Sequence, residues 1–174
     1  RAAGAIILGK TNMHELAFGI SGYNVACQSG ANPGVRNAWD ATKIAGGSSS
    51  GNGAAIGARI VTAGLGTDTG GSVRIPCAFN GCAALRPTVG RYSQAGIAPI
   101  SHTRDTAGPM AVSMADIALI DRVVAGGARI KPENLKKLRV GVVASMMANL
   151  DADTKAAMDE AIVKMKAAGV TVID

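Results

Sequence analysis

The sequence predicts an α/β protein with mainly parallel strand pairing. Three observations carry that reading. Residues 113–125 place apolar side chains at helical spacing, residues 138–173 read as strand, helix, strand, and a short strand at 65–68 runs into a glycine pair where a helix begins. A length of 174 residues suits one ordinary domain with a real core. A hydrophobic fraction of 48% against 17% charged residues is the composition of a globular chain, not a disordered one. Aromatic residues make up only 3% and glycines number 23, so the core falls to Ala, Val, Ile, Leu and Met.

Taken in order, Ala5 to Leu8 form a short apolar run suited to a buried strand. Residues 20–43 are loop-like, with Gly22, Gly30, Pro33 and Gly34. The serines of Gly46-Gly47-Ser48-Ser49-Ser50-Gly51 can cap a following helix, Ala54 to about Ala63, because their hydroxyls accept the free N–H groups of a first turn. Gly64 is placed to end that helix. Leu65 to Asp68 reads as a strand running into Gly70-Gly71, and a second helix starts near Ser72 to Pro76, where proline is tolerated in the first turn.

Residues 87–110 are turn-rich, and 113–125 form the next helix. Leu138 to Val143 is a strand. Asp151 or Asp153 caps a helix whose inner face is Met158, Ala161, Ile162 and Met165; Gly169 closes it, and Val170 to Ile173 is a strand again. There is no internal repeat and no low-complexity tract. The sequence opens on an apparent strand and closes on another, which reads as a piece of a larger domain.

Several function classes drop out on composition. No stretch approaches the roughly 18–20 apolar residues of a membrane span, and Arg1 to Gly9 is too short for a secretory signal. A cytoplasmic location is the expectation. Cys27, Cys77 and Cys82 form neither an even framework nor a Cys-x-x-Cys pair, so beside His14 and His102 they read as small buried thiols in a reducing compartment, with no metal site and no cofactor. The net charge of +6 owes much to Arg129, Lys131, Lys136, Lys137 and Arg139. Such a cluster can attract phosphate, but without a nucleic-acid fold signature it reads as a solvated linker. The expected partner is a small molecule, not nucleic acid or membrane; a homodimer is left open.

Three glycine signals compete. Gly4 to Thr11 fits the phosphate-loop pattern, but its four intervening residues are strand-like where a flexible loop is needed. Gly47 to Gly51 fits a nucleophile elbow centred on Ser49, but Trp39 to Lys43 makes a poor preceding strand. The third is Gly66-Thr67-Asp68-Thr69-Gly70-Gly71-Ser72-Val73-Arg74-Ile75-Pro76, a serine directly after two glycines at a strand-to-helix junction. There successive backbone N–H groups converge into an anion nest, and a helix start adds partial positive charge. A tetrahedral oxyanion needs such donors at about 3 Å. A plain glycine turn with a capping serine reads equally well from this motif alone.

Both serine motifs together resemble the amidase signature family closely, with Ser72 following Ser48 by 24 residues. The likeness runs from Ala3 to the end of the chain and includes Gly9 to Leu16, Arg36 to Asp40, and Leu85-Arg86-Pro87-Thr88; Ala84 departs from a usual glycine. The resemblance implies an amidase-signature fold, a mixed and mainly parallel twisted sheet flanked by helices, of which residues 1–174 are a central portion. It also implies a Ser-Ser-Lys triad. Ser72 would be the nucleophile, and Ser48, after a cis Gly47–Ser48 bond, would relay its proton to a lysine. The N–H groups of Thr69, Gly70, Gly71 and Ser72 would form the oxyanion hole. Thr67 would steady the network, and Asp68 and Arg74 would clamp the loop. The family's lysine lies in a segment that nothing here matches, so the isolated chain is expected to be inactive.

Within the family, the tRNA-dependent amidotransferase branch typically carries glutamine where this sequence has Ile75. Val89 to Thr106 is more similar to the arylacetamide-type branch. The resemblance thus implies hydrolysis of a small aromatic primary amide through a seryl acyl-enzyme. A glutamine-directed amidase of the amidotransferase type and a non-enzymatic anion-binding module are the alternatives.

Overall fold

The computed structural model describes residues 2–28, 34–127 and 133–173, in two units that divide at residue 129. Arg129 and Lys131 of the basic cluster, and Gly30 and Pro33 of the first loop, lie outside the described residues.

In the first unit, helix α1 (Ser50–Gly57) holds three glycines in eight positions. Each is worth about 1 kcal/mol less than alanine in a helix, so α1 exists because of what it packs against. Its partner is helix α2 (Arg74–Asn80). At Gly53 a Cβ would stand 2.8 Å from the Pro76 carbonyl oxygen, so the two backbones approach as only glycine permits.

Helix α1 ends earlier than the sequence predicts. Arg59 takes a left-handed φ of 61°, and its N–H and its guanidinium both donate to the Ile56 carbonyl, at 3.0 and 2.9 Å. That closes the helix before Gly64, which lies inside strand β1 (Ala63–Thr67). Nor do the serines cap α1 through their side chains. Ser49 is the N-cap residue, but its hydroxyl reaches the Thr67 backbone instead.

Strands β2 (Ala83–Ala84) and β3 (Ala107–Ala111) complete a sheet of order β1-β3-β2, antiparallel at both pairings. The α/β class stands, but the expected mainly parallel pairing does not hold in this unit. Central β3 lies in a stretch that the sequence marks as turn, because Gly108 and Pro109 are poor strand residues; Pro109 still accepts from the Leu85 N–H at 3.1 Å. Residues Ala5 to Leu8, expected as a buried strand, are exposed and pair with nothing among the described residues.

The core is Ile56, Val73, Cys77 and Met110, flanked by Val61, Cys82 and Ala84. Helix α3 (Met114–Val124) starts as predicted, with Ser113 accepting from the Asp116 N–H, and buries Ile117 against the sheet. Its buried Asp121 takes a two-pronged bond from Arg91, at 2.8 and 2.6 Å, and the Tyr92 hydroxyl at 2.7 Å.

Asn80, fully buried, fastens the segment before the first serine motif. Its amide donates to Ala45 and Pro76 carbonyls, and its carbonyl accepts from the Ala38 N–H. Trp39 adds a bond from its indole to the Asn80 main-chain carbonyl at 2.9 Å.

In the second unit, β4 (Arg139–Gly141) and β5 (Thr171–Ile173) pair in parallel, so the predicted β-α-β connection is present. A short helix α4 (Ala144–Met147) and the long α5 (Ala152–Ala167) lie between the strands. Asp151 caps α5, accepting from Asp153 and Thr154 N–H groups, and Gly169 follows at φ 91°. Of its predicted inner face only Ile162 and Met165 are half-buried. Two three-residue strands offer too little surface to cover Met158 and Ala161 as well.

Candidate active site

The two serine motifs run side by side. The Ser49 N–H donates to the Ser72 carbonyl at 3.1 Å, and the Ser49 hydroxyl contacts both the N–H and the carbonyl of Thr67 at a long 3.4 Å. The Gly47–Ser48 peptide is cis. Gly47 is required by close approach: a Cβ there would lie 2.7 Å from the Gly19 carbonyl oxygen. The Ser48 carbonyl accepts from the N–H groups of His14 and Ser50, which gives the His14 segment a main-chain role. Ser48 is 0% exposed, and its hydroxyl has no hydrogen-bond partner among the described residues.

Asp68 organises the loop that ends on Ser72. This carboxylate is 0% exposed. It accepts from the Gly71 N–H at 2.7 Å, the Val73 N–H at 3.3 Å, and Arg74 at 3.1 and 3.2 Å. Arg86 completes the set, with its Nε 3.3 Å from Asp68. Burial is the largest single influence and would raise this carboxyl. The hydrogen bonds from Arg74, Gly71 and Val73 outweigh it and hold the group below the usual 3.8. The sequence pairs Asp68 with Arg74 alone and leaves Arg86 in a family motif without a role, because only folding brings β2's exit beside the loop.

Of the four amides expected to converge on an oxyanion, that of Gly71 is turned to Asp68. Those of Thr69, Gly70 and Ser72 have no acceptor within the protein among the described residues. These three residues line one cleft of about 290 Å³ with Ala17, Phe18, Gly19, Ile20, Ile75 and Ile100. The Thr69 hydroxyl is held by Asp105 at 2.5 Å.

The cleft's apolar wall is not legible in the sequence. Leu16 and Ala17 both take left-handed φ, 54° and 58°, an uncommon conformation for such residues, and carry Phe18 to the cleft. Ile75 reaches it from the first turn of α2.

The other two glycine signals resolve differently. Residues 4–11 are exposed and form neither strand nor helix, and Thr11 bonds Asn52, so the phosphate-loop geometry is not there. Ser49 is buried and turned to Thr67, which leaves the elbow reading without an exposed nucleophile. Cys27, Cys77 and Cys82 are all free thiols. Burial, reinforced by neighbouring Cys82, pushes the Cys77 thiol up to about 12. Among the described residues no group of three or more His, Cys, Asp or Glu could hold a metal, and no helix is long and apolar enough to cross a membrane.

Comparison with known proteins points the same way. The chain is 52% identical to mandelamide hydrolase of Pseudomonas putida, over 98% of this chain and 34% of that protein. It is 45% identical to indoleacetamide hydrolase of Agrobacterium vitis, over 99% of this chain and 36% of that one. A glutamyl-tRNA(Gln) amidotransferase chain of Deinococcus deserti is 39% identical, over 97% and 37%. A crystal structure of an amidase superposes with a TM-score of 0.85 at 38% identity, over 98% of this chain and 38% of its own. The chain therefore spans about a third of the length of the relatives it matches. The family model described as Amidase matches residues 1–174, and the chain belongs to the amidase family.

Proposed function

We propose that residues 1–174 are the central part of a longer amide hydrolase. Its substrate is a small aromatic primary amide of the mandelamide or arylacetamide type, cleaved to the carboxylic acid and ammonia. The observation that carries this reading is Ser48, a fully buried hydroxyl without a partner among the described residues, on a segment hydrogen-bonded to the backbone of Ser72 at the wall of the cleft. A buried hydroxyl left unpaired is destabilising by about 1–3 kcal/mol, and a proton relay gives it a purpose.

In this mechanism the Ser72 hydroxyl attacks the amide carbonyl and passes its proton to Ser48. Ser48 hands a proton to a lysine of the longer protein, which serves as base with a pKa lowered by burial. The N–H groups of Thr69, Gly70 and Ser72 receive the oxyanion. The proton returns from the lysine through Ser48 to the amide nitrogen, the C–N bond breaks, ammonia leaves and an ester remains on Ser72. Water, giving its proton to the same relay, then attacks the ester and releases the acid as the proton returns to Ser72. Thr67 and the Asp68–Arg74–Arg86 cluster support the loop.

The substrate class rests on the cleft. Phe18, Ile20, Ile75 and Ile100 present apolar surface and no charge to the acyl group, which suits an aromatic ring and offers nothing to the charged end of glutamine. Likeness to a glutamyl-tRNA(Gln) amidotransferase keeps a glutamine-directed amidase as the second reading.

The test is turnover by the full-length protein of phenylacetamide, mandelamide and glutamine, with a fluorophosphonate label mapped by mass spectrometry. Label on Ser72, hydrolysis of the aromatic amides, and loss of both in Ser72→Ala support the proposal. Brisk turnover of glutamine with none of the aromatic amides overturns the substrate. Label elsewhere, or a tenth of the activity kept by Ser72→Ala, overturns the mechanism.

A further inference from the structure

We infer that Asp105 is a positioning residue of the oxyanion loop, acting through the Thr69 hydroxyl and tying the Ile100 wall of the cleft to that same loop. The inference rests on the serine-hydrolase reading above and deepens it.

The carboxylate divides its work between its two oxygens. Oδ1 accepts from the Thr69 hydroxyl at 2.5 Å. Oδ2 accepts from the N–H groups of Ile100 and Ser101 at 2.7 and 2.9 Å. The turn is closed on itself, since the Arg104 and Asp105 N–H groups both donate to the Ser101 carbonyl. One side chain thus holds two residues that line the cleft from different segments, Thr69 and Ile100.

This link extends an existing zipper. The β1–β3 ladder ends at Thr67 opposite Ala107. The Asp68 N–H continues it to the Thr106 carbonyl at 2.8 Å, and the Thr69–Asp105 bond is the next rung, made by side chains. Arg86 runs parallel to it, bonding the Arg104 carbonyl at 2.7 Å while its Nε faces Asp68. The loop beyond Thr69 has no ladder left to hold it, and Gly70 and Gly71 add no stiffness of their own. Anchoring the Thr69 side chain fixes the direction of its N–H, one of three amides on cleft-lining residues that have no acceptor among the described residues. Asp105 itself is charged. Burial opposes its ionisation most, but the bonds from Thr69, Ser101 and Ile100, with His102 nearby, outweigh burial and lower its pKa. A charged acceptor makes each of these bonds stronger than a neutral one.

The experiment is a double-mutant cycle in the full-length protein with Thr69→Val and Asp105→Ala, read by steady-state hydrolysis and by the rate of fluorophosphonate labelling at Ser72. Removing an oxyanion donor outright costs about 10²–10³ in kcat, so a misaimed one lowers kcat roughly 10- to 100-fold. We expect that fall in both single variants, and a double variant no slower than the slower single. KM should stay within about 2-fold in Thr69→Val and rise in Asp105→Ala, where the Ile100 wall is also released. Asp105→Asn keeps an acceptor for the Ile100 and Ser101 N–H groups and can donate to the Thr69 oxygen, so it should recover part of kcat. Unchanged kcat and labelling in Thr69→Val, which does not disturb the turn, overturn the inference, as do losses that simply multiply in the double variant. Absence of Ser72 labelling in the unmodified protein removes the serine-hydrolase reading and this inference together.

Discussion

Replacing Asp68 by asparagine tests the central electrostatic argument, because it keeps the shape and removes the charge. The carboxylate has two oxygens facing only donors. Oδ1 receives Gly71, Arg74 Nη2 and Arg86, and Oδ2 receives Val73 and Arg74 Nε. An asparagine oriented to keep the short Gly71 bond turns its NH₂ toward the Val73 N–H and Arg74 Nε, donor against donor. Two hydrogen bonds to a charged group are then lost, at about 1.5 kcal/mol each, the low end of the usual range. The low end is appropriate because both bonds are long and the Arg74 side chain is 53% exposed, so water screens it. The total is about 3 kcal/mol, the lower edge for breaking a buried ion pair.

The pH dependence has a definite sign. The folded-state pKa of Asp68 lies below 3.8, so the unfolded chain binds the proton first as pH falls. Its contribution is therefore complete above about pH 4 and is lost as pH drops through the folded value. Urea unfolding of the full-length protein and of Asp68→Asn should differ by about 3 kcal/mol at pH 7 and converge in acid. Labelling at Ser72 should slow by about 10²-fold, since the Val73 N–H and Arg74, which hold the chain directly after Ser72, are released. Equal stability at pH 7 together with undiminished labelling would show that the Asp68 charge does not hold the loop.

Three further outcomes follow from the same geometry. Asn80→Ala leaves the Ala38 N–H and the Ala45 carbonyl without their side-chain partner, a loss of about 2–3 kcal/mol by urea unfolding; a change under about 1 kcal/mol would contradict it. Tyr92→Phe removes a hydroxyl bonded to buried Asp121 and should lower stability by about 1.5 kcal/mol, while Arg91 keeps the carboxylate charged; an unchanged urea midpoint would count against the network. With its thiol at about 12, Cys77 should resist iodoacetamide at pH 8 in the folded protein while exposed Cys27 reacts, and all three cysteines should react in urea. Equal native rates for Cys27 and Cys77 would show that the core is open.

The local elements are readable where one short-range rule governs them. Asp151, one of the two candidates the sequence offers, caps α5 because a side-chain oxygen next to free N–H groups needs no distant partner. Gly169 ends α5 for a similarly local reason, and the β-α-β order of residues 139–173 follows from alternating periodicity. The strand-to-helix junction at Gly66 to Pro76 is marked by its glycines, and the pairing of two serine motifs is marked by resemblance.

Where the sequence misleads, partners far along the chain decide. Strand β3 carries Gly108 and Pro109 against local preference, because β1 and β2 flank it on both sides and the burial of Met110 outweighs propensity. The Ser49 hydroxyl leaves its helix for Thr67, 18 residues away, once tertiary packing brings β1 beside it. Arg86 and Asp105 become parts of the candidate site in the same way. Their chemistry is visible in the sequence, but the acceptor or donor each one serves lies 18 and 36 residues distant, at Asp68 and Thr69. Residue types and short-range geometry are written in the sequence; which distant groups meet depends on how the whole chain buries its apolar surface, and only the tertiary structure decides that.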